Sequence, residues 1–271
     1  MTDGGSHAER HARAAETFEI FVPGVDPERV SASLSRRLGA LGTFAFDVVG
    51  EMWARPGLSR RDRSLIVVSV LAAQARNEEL ELHTQIGVRN GLTRPELEEI
   101  VLNVAAYAGF PAAMAASRKV DAGLRAAEGV ETLSDRTAAP AKGDDQREQE
   151  AAEILGAMRG RPVTDPADLL ASLDAELGDA GITAFRWSYG EIWTRQEMSR
   201  RDRSLSVIAI LTTLGDENEL AIHALAGMRN GVTRAEIEEA ITHLTLYAGV
   251  PRAVAAMKAA RRAFAAAGVV A

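Results

Sequence analysis

The stretch Ser59-Arg-Arg-Asp-Arg-Ser-Leu65 decides how this chain is organised, because the same seven residues return at Ser199-Arg-Arg-Asp-Arg-Ser-Leu205. The residues around it keep the same separation of 140 positions without a gap. The matching landmarks are Gly50-Glu51 and Gly190-Glu191, His83 and His223, Arg89-Asn90-Gly91 and Arg229-Asn230-Gly231, and Tyr107 and Tyr247. A match of this length is no accident, and it predicts one structural unit that occurs twice.

Length and composition place the chain among ordinary globular proteins. Its 271 residues are 46% hydrophobic and 25% charged, and two units of half this length can each bury a core. The net charge of −7 argues against the basic surface that non-specific nucleic-acid binding needs. No apolar run approaches the roughly 20 residues of a membrane helix, and the polar N-terminus lacks the apolar core of a signal peptide. We therefore expect a cytoplasmic protein that binds neither nucleic acid nor membrane.

The chain contains no cysteine. This absence excludes disulfides, thiolate metal sites, cysteine nucleophiles and thiol-based peroxide chemistry. With one candidate histidine in each repeat, a metal site made only of protein side chains is not expected. There is also no glycine-rich loop that could cradle a phosphate. The sequence therefore predicts polar chemistry that needs no cofactor.

Helix signals run through both repeats, and nothing alternates with the period of a strand. Ser59 is placed to cap a helix, with Asp62 at the third helical position as the partner in a capping box. The residues from Leu65 onward are apolar nearly all round, which predicts a helix buried on most sides. Thr93 with Glu96 forms a second capping-box pattern. The predicted fold class is all-α.

Breaks in the pattern predict four segments. Val22-Pro-Gly-Val-Asp-Pro27 ends an N-terminal arm, residues 1–27, that we expect to be mobile or loosely docked. The first repeat then covers residues 28–130. Residues 131–147 are polar with proline and glycine, which predicts a linker. The second repeat covers residues 148–271.

His83 and His223 are the first candidates for catalysis. Each has a glutamate one helical turn earlier on the same face, Glu79 and Glu219 respectively. A carboxylate at that spacing can orient an imidazole and raise its pKa, as a general acid requires. The alternative is a structural histidine whose hydrogen bonds are local.

An arginine cluster opens the repeated helix, and it consists of Arg60, Arg61 and Arg63 with the copies Arg200, Arg201 and Arg203. Cations at a helix N-terminus oppose the helix dipole, so helix stability alone does not select them. Guanidinium groups that project from one helix start can form a clamp for a carboxylate. The alternative is a salt-bridge network between helices or subunits.

Glutamate and aromatic side chains complete the set of candidates. Glu51 and Glu191 can act as acid/base groups or pair structurally with arginine, and each stands two positions before a tryptophan, Trp53 or Trp193. Tyrosines at the ends of helices can offer a hydroxyl to a pocket, or pack with the hydroxyl in water. The two tyrosines in this position are Tyr107 and Tyr247.

Taken together, these motifs resemble the carboxymuconolactone decarboxylase family. The resemblance rests on residues 50–65, the histidine helix, residues 89–99 and Tyr107-Ala-Gly-Phe-Pro111, with their copies. It implies two tandem helical units of the alkylhydroperoxidase-like kind, related by duplication. The peroxidases of that superfamily use a Cys-x-x-Cys pair, whose positions here hold Arg76 and Glu79 in one repeat and Asp216 and Glu219 in the other. Peroxidase activity therefore does not carry over.

The resemblance also implies a function and an assembly. The expected reaction is the cofactor-free decarboxylation of an acidic unsaturated lactone of the 4-carboxymuconolactone type, in aromatic catabolism. The histidines would supply the proton, and the two glutamates preceding the tryptophans would assist. The substrate would be bound by the tryptophans, the tyrosines and four of the arginines, Arg61, Arg63, Arg201 and Arg203. Family rings imply a homotrimer of two-repeat chains. Two alternatives stay open: another cofactor-free tailoring enzyme (a lactonase, isomerase or cyclase), and a non-catalytic oligomeric binding protein.

Overall fold

The computed structural model describes residues 6–136 and 138–269, apart from the side chain of residue 7. Throughout these residues the chain forms helices and loops with no strand, which confirms the all-α prediction. None of the helices in this part of the chain is long and apolar enough to cross a membrane.

Within the described ranges, each repeat contains seven helical segments. The first contains α1 (His7–Phe21), α2 (Pro27–Leu38), α3 (Ala40–Trp53), α4 (Arg60–Ala73), α5 (Asn77–Arg89), α6 (Arg94–Tyr107) and α7 (Phe110–Glu128). The second contains α8 (Asp144–Arg159), α9 (Pro166–Leu177), α10 (Asp179–Thr183), α11 (Arg200–Leu214), α12 (Glu217–Arg229), α13 (Arg234–His243) and α14 (Val250–Ala266). Helix α10 continues without a break into a π-helix, Ala184–Ile192.

Most of the predicted N-terminal arm is a helix that packs against the rest of its compact unit. Helix α1 packs along α3 and buries Ala14, Phe18 and Phe21. Helix α1 is the counterpart of α8 in the second repeat. The backbone of each of these helices packs against a glycine in the third helical segment of its own repeat. A Cβ on Gly50 would lie 2.1 Å from Cα of Ala14. Residues 1–5 of the predicted arm lie outside the described residues.

The linker is shorter than predicted, because α8 already begins at Asp144. Its residues are also held by ion pairs. Arg136 contacts Glu98 at 2.8 Å and Asp121 at 2.5 Å, and the ammonium group of Lys142 contacts Glu150 at 2.5 Å. Thr137 lies outside the described residues. The linker is thus attached to both repeats that it joins.

The chain divides into two compact units, Met1–Arg63 and Ser64–Ala271. The division does not fall at the linker, because in the second unit the two repeats pack against each other. There the hydroxyls of Ser69 in α4 and Ser206 in α11 lie 2.8 Å apart, and Nδ2 of Asn103 donates to the Ser206 hydroxyl at 3.1 Å. Equivalent helices of the two repeats, α4 and α11, therefore meet in one shared core.

The predicted N-cap hydrogen bonds form at Ser59 and Thr93. The Ser59 hydroxyl accepts a hydrogen bond from the amide of Asp62 at 3.0 Å, and Ser199 does the same for Asp202 at 3.1 Å. Thr93 and Glu96 make a complete capping box. The helices that start at the two serines are buried on nearly all sides, as their apolar sequences predict.

The π-helix marks a one-residue insertion in the second repeat. Before it, Gly178 follows Gly39 by 139 positions, and both glycines are caps with φ near 60°. After it, Gly190 follows Gly50 by 140 positions. The extra residue is absorbed by widening the helix, as the hydrogen bond from the amide of Trp193 to the carbonyl five residues earlier shows at 3.0 Å.

We expect Gly190→Ala to lower the free energy of unfolding by about 1–3 kcal/mol. A Cβ there would lie 2.6 Å from the carbonyl oxygen of Arg147, so α8 and the π-helix would have to separate. Urea denaturation followed by circular dichroism measures the effect. Gly143→Ala is the matched control, because its Cβ meets nothing within 4 Å, and we expect a change below about 1 kcal/mol. Equal effects of the two substitutions would contradict the close approach.

Candidate functional site

His223 lies at the centre of a buried aromatic cluster. Its side chain, in the middle of α12, is only 1% exposed. The Nε2 atom is 3.2 Å from the hydroxyl oxygen of Tyr107, and the Trp193 ring stacks on the imidazole with the ring centres 5.9 Å apart. Nε1 of Trp193 donates to the same Tyr107 hydroxyl at 2.9 Å. Three residues predicted for the site are therefore brought together around one oxygen atom.

The cluster is built from both repeats. Tyr107 is the last residue of α6 in the first repeat, whereas His223 and Trp193 belong to the second. A reciprocal contact joins His83 of the first repeat to Tyr247 of the second, with the ring centres 5.5 Å apart and the planes at 86°. The corresponding values for Tyr107 and His223 are 5.2 Å and 84°. Each histidine thus packs against the tyrosine of the other repeat, which spacing within one repeat could not reveal.

Burial makes both histidines neutral near pH 7. It lowers the pKa of His83 and of His223 from 6.5 to about 4. The expectation that the preceding glutamates raise these pKa values is therefore wrong. In α12 the Glu219 carboxylate is 3.9 Å from Nε2 of His223, beyond hydrogen-bonding distance, and its side chain is 49% exposed. The cost of burying a charged imidazolium ring outweighs the attraction of this distant and well-hydrated carboxylate.

The tyrosine hydroxyl is neutral as well. Burial, together with the neighbouring Tyr189, raises the pKa of Tyr107 well above its ordinary value, although the hydrogen bond from Trp193 opposes this. At pH 7 the cluster therefore offers neutral hydrogen-bonding groups in a dry setting. Such groups can stabilise charge that develops during a reaction.

The two lowered histidine pKa values predict a loss of stability in weak acid. The unfolded chain binds a proton at each histidine near pH 6.5, whereas the folded chain binds it only near pH 4. Lowering the pH from 7 to 5 therefore favours unfolding, by about 2 kcal/mol for each histidine. The stabilisation is fully present above pH 6.5 and is lost towards pH 4.

Urea titrations at pH 7 and pH 5 test this expectation. In His223→Gln, the fall in unfolding free energy between the two pH values should be smaller than in the unmodified protein by about 2 kcal/mol. Comparing the two decreases in unfolding free energy cancels the pH-independent effect of the substitution on stability and the contribution of the carboxyl groups. Identical falls in the two proteins would contradict a lowered pKa at His223.

Sequence reasoning missed Tyr189 and Ser188, which lie in the π-helix beside the cluster. Both affect the pKa of the Tyr107 hydroxyl, which Tyr189 raises and Ser188 lowers. The Tyr189 ring packs on a small core that includes Ala151 and Phe185. The signal that could have found them is the change in repeat separation from 139 to 140 positions, which occurs just before Tyr189.

Arg203 is held in a buried ion pair. Its side chain is not exposed, and Nη2 lies 2.7 Å from a carboxylate oxygen of Glu99, whose side chain is 1% exposed. Nη1 donates to the amide oxygen of Asn103 at 3.0 Å. The other Glu99 oxygen accepts from Nε of Arg195 at 2.6 Å. For Arg203 the structure favours the salt-bridge network over the carboxylate clamp.

Glu99 was not predicted as part of this network, although it joins α6 of the first repeat to α11 of the second. No local pattern identifies it, because it stands among other glutamates at the start of α6. Its burial depends on contacts about 100 positions away along the chain, as the separation of 104 from Arg203 shows.

The remaining predicted arginines also contact acidic or backbone groups. Arg201 contacts Glu236 at 2.5 Å and Asp202 at 3.0 Å. Arg61 approaches Asp62 at 3.4 Å, and Arg63 donates to the carbonyl of Arg55 at 2.7 Å. Substrate binding by these arginines stays a prediction.

Glu191 is not part of the His223 cluster. Glu51 and Trp53 belong to the other compact unit, Met1–Arg63. Glu191 accepts a hydrogen bond from Nε of Arg147 at 2.6 Å, which fits the structural pairing considered for it. Glu51 is half-buried in the last turn of α3. Trp53 is buried and packs edge-on against Phe21 with the ring centres 4.8 Å apart. The acid/base role of the glutamates stays a prediction.

A cleft of about 480 Å³ opens on the second repeat beside the linker. It includes Glu191 but neither candidate histidine, and its basic residues are Lys142, Arg195 and Arg200. Lys142 already donates to Glu150, to the carbonyl of Gly190 and to the Thr194 hydroxyl. Among the described residues, no group of three histidine or acidic side chains is arranged to hold a metal ion.

Comparison with known proteins gives two kinds of match. The model of the carboxymuconolactone decarboxylase family matches residues 40–122 and 179–262, together more than half of the chain. The 4-carboxymuconolactone decarboxylase of Acinetobacter baylyi is 47% identical over 79 residues, which are 29% of this chain and 59% of that protein. The nitrosuccinic acid decarboxylase npaB of Metarhizium robertsii is 42% identical over 67 residues, which are 25% and 47% of the two chains. The chain thus spans about half the length of these relatives.

Proposed function

Because the chain belongs to the carboxymuconolactone decarboxylase family, we propose that it is a cofactor-free decarboxylase of an acidic unsaturated lactone of the 4-carboxymuconolactone type. The observation that carries the proposal is the buried cluster of neutral donors around the Tyr107 hydroxyl, within the region matched by the family. Two relatives with different substrates in their names are both named as decarboxylases, which supports the reaction class more strongly than the lactone.

The proposed reaction makes demands that such a cluster can meet. The bond between the ring carbon and its carboxylate breaks, CO₂ leaves, and the electron pair moves through the double bond to the lactone carbonyl oxygen. On the ring carbon next to that carbonyl, the resulting dienolate takes a proton from a water molecule, and hydroxide is left to be neutralised by solvent. The protein must remove water from the departing carboxylate and offer hydrogen-bond donors to the developing oxyanion.

We assign the donor role to the tyrosine–histidine pairs. In one half of the molecule the pair is Tyr107 with His223, and in the other it is Tyr247 with His83. Because both imidazoles are neutral, they act as hydrogen-bonding groups rather than as cationic acids. The buried tryptophan beside the first pair keeps water away and fixes the hydroxyl by its own N–H.

Incubation of the purified protein with 4-carboxymuconolactone tests the proposal. Substrate loss, enol-lactone formation and CO₂ release are followed for the unmodified protein, His83→Ala, His223→Ala and the double variant, each checked for folding by circular dichroism. We expect turnover that falls about 100-fold or more in at least one single variant. Absence of turnover by the well-folded unmodified protein would remove the lactone as substrate. In that case, nitrosuccinic acid assayed in parallel shows whether the protein decarboxylates a different acid.

A non-catalytic oligomeric binding protein is the second candidate, and one observation favours it. Arg201 and Arg203 are engaged in ion pairs, and the large cleft on the second repeat does not include the candidate histidines. A protein that binds acidic compounds without turnover in the same assay would support this function. Another tailoring reaction, such as lactone hydrolysis or isomerisation, would appear there as a different product.

We also propose that the chain forms the homotrimer implied by the family, in the cytoplasm. The same three positions of each repeat carry exposed apolar side chains that a partner chain could cover, namely Leu82, Phe110 and Met114, and Ile222, Val250 and Val254. Light scattering coupled to size-exclusion chromatography measures the mass. A single-chain mass of 29.0 kDa would contradict the trimer.

A further inference from the structure

Lys142, in the linker between the repeats, reaches the end of the π-helix. Its side chain is largely buried, with 13% exposed. The ammonium group donates to the carbonyl oxygen of Gly190 at 2.9 Å and to the hydroxyl of Thr194 at 2.8 Å. Its third partner is a carboxylate oxygen of Glu150 in α8, at 2.5 Å. An ammonium group has three protons, so these bonds use all of them.

The two bonds to the π-helix segment lie on either side of Trp193 in the sequence. Thr194 directly follows this tryptophan, and Gly190 stands three positions before it. The Thr194 hydroxyl is itself 3.1 Å from the Gly190 carbonyl oxygen, so the ammonium, the hydroxyl and the carbonyl contact one another. The last carbonyls of a helix have no amide partner within it, and a lysine side chain is a suitable donor for them. Lys142 therefore holds the backbone that carries Trp193.

Trp193 connects this backbone to the buried cluster. Its side chain is 1% exposed, and its amide donates to the carbonyl of Ser188 at 3.0 Å. Its Nε1 donates to the Tyr107 hydroxyl at 2.9 Å, and its ring stacks on His223 with the ring centres 5.9 Å apart. A backbone shift of about 1 Å away from Tyr107 would take this N–H beyond hydrogen-bonding distance. The geometry of the cluster thus depends on where the π-helix ends.

The ion pair with Glu150 does not by itself account for Lys142. The Glu150 side chain is 30% exposed and also accepts a hydrogen bond from Gln146 at 2.8 Å. Ion pairs in contact with water contribute little to stability. Removing an ammonium group from water is unfavourable unless its protons are bonded, and two of its three acceptors belong to the π-helix segment. The burial of Lys142 is therefore coupled to the position of that segment.

We propose that Lys142 is a positioning residue of the candidate site. By holding the end of the π-helix it fixes the indole of Trp193, and through the indole it fixes the Tyr107 hydroxyl and the His223 ring. None of its three hydrogen bonds goes to that cluster, so it acts through Trp193. The effect on catalysis rests on the proposed function, whereas the fixing of Trp193 does not depend on the reaction.

Lys142→Met tests the effect on catalysis, because methionine keeps an apolar side chain of similar length and removes the ammonium group. In the decarboxylation assay we expect kcat to fall about 10- to 100-fold, as for catalytic groups misplaced by about 1 Å, with KM changed less than about threefold. Lys119→Met is the matched control. Lys119 forms an ion pair with Glu81 at 2.9 Å in which the side chains are 35% and 36% exposed. We expect its kcat to stay within about twofold.

Glu150→Gln separates the ion pair from the contacts with the π-helix. Glutamine keeps an acceptor for Lys142 and leaves the bonds to Gly190 and Thr194 in place, so we expect kcat to stay within about threefold. A fall equal to that in Lys142→Met would overturn the role of the π-helix contacts. If Lys142→Met does not fold, Lys142→Gln is the second variant. Its amide can still donate to one of the two oxygens, and we expect kcat to fall about three- to tenfold.

A measurement without substrate tests the fixing of Trp193. The chain contains three tryptophans, and Trp193→Phe and Trp187→Phe assign their indole signals in ¹H–¹⁵N NMR spectra. In Lys142→Met we expect the Trp193 indole N–H to exchange with deuterated water about tenfold faster, because its bond to Tyr107 is weakened. The buried Trp53, in the other compact unit, should exchange as before. The two control variants should leave both exchange rates unchanged.

The two measurements separate the possible failures. An unchanged Trp193 exchange rate in Lys142→Met, or an equal acceleration at Trp53, would overturn the positioning role, since the latter indicates a general loss of stability. Selective acceleration at Trp193 would support the role even if the unmodified protein turned over no substrate. The absence of turnover would then count against the proposed decarboxylation alone. Selective acceleration with an unchanged kcat would overturn the effect on catalysis.

Discussion

Glu99→Gln is expected to lower the free energy of unfolding by about 3–5 kcal/mol, because it leaves the buried Arg203 cation without its counter-charge. Both side chains are almost completely buried, and Glu99 bridges Arg203 at 2.7 Å and Arg195 at 2.6 Å. Glutamine has nearly the same shape but no charge, so the loss is electrostatic rather than one of packing. Urea denaturation at pH 7, followed by circular dichroism, measures it.

Glu98→Gln provides a control at the adjacent position. Glu98 also pairs with two arginines, Arg94 and Arg136, each at 2.8 Å, but these groups are more exposed. Ion pairs in contact with water contribute about 1 kcal/mol or less, so we expect a small effect. Equally small effects at positions 98 and 99 would show that the Asn103 amide and the backbone suffice to stabilise Arg203.

The buried ion pair explains why the repeated motif can look catalytic in the sequence. Three arginines at a helix start oppose the helix dipole, which suggests a functional reason for their presence. In the fold, Arg203 instead forms an ion pair with Glu99 of the other repeat. The packing of the two repeats therefore accounts for an arginine at this position. Such a partner lies 104 positions away, where no helical spacing predicts it.

What could be predicted from the sequence was local. The caps at Ser59 and Thr93 follow from hydrogen bonds that span three residues, and the buried repeated helices follow from their apolar surfaces. The pairing of Tyr107 with His223 spans 116 positions and could not be predicted in this way. The direction of the histidine pKa shift was mistaken for the same reason, since burial by distant residues dominates it.

Helix α1 and the π-helix show a second limit of prediction from the sequence. Helices α1 and α8 occupy equivalent places without matching sequences, so comparison of the two copies could not identify α1 as part of the duplicated arrangement. The insertion before Gly190 was visible as a change of one position in the repeat separation, but its consequence was not. Whether an extra residue forms a loop or widens a helix depends on the packing of α8 against that segment.

Tyr107→Phe is expected to lower kcat for decarboxylation by about two to three orders of magnitude, because one hydroxyl serves several partners. Its removal leaves the N–H of the buried Trp193 without its acceptor and breaks the contact with His223. The stability should also fall, by about 1–3 kcal/mol for the buried donor left unpaired. Steady-state kinetics and urea denaturation of the same preparation measure the two effects.

To interpret this result, kcat of Tyr107→Phe is compared with kcat of Tyr247→Phe. Tyr247 is the counterpart of Tyr107 by duplication and packs against His83 with nearly the same ring geometry. A loss of kcat confined to Tyr107→Phe would assign catalysis to the half that contains the π-helix. Equal losses would mean that both halves act, so that the insertion has no part in the chemistry. A folded Tyr107→Phe protein with unchanged kcat would place the reaction away from this cluster altogether.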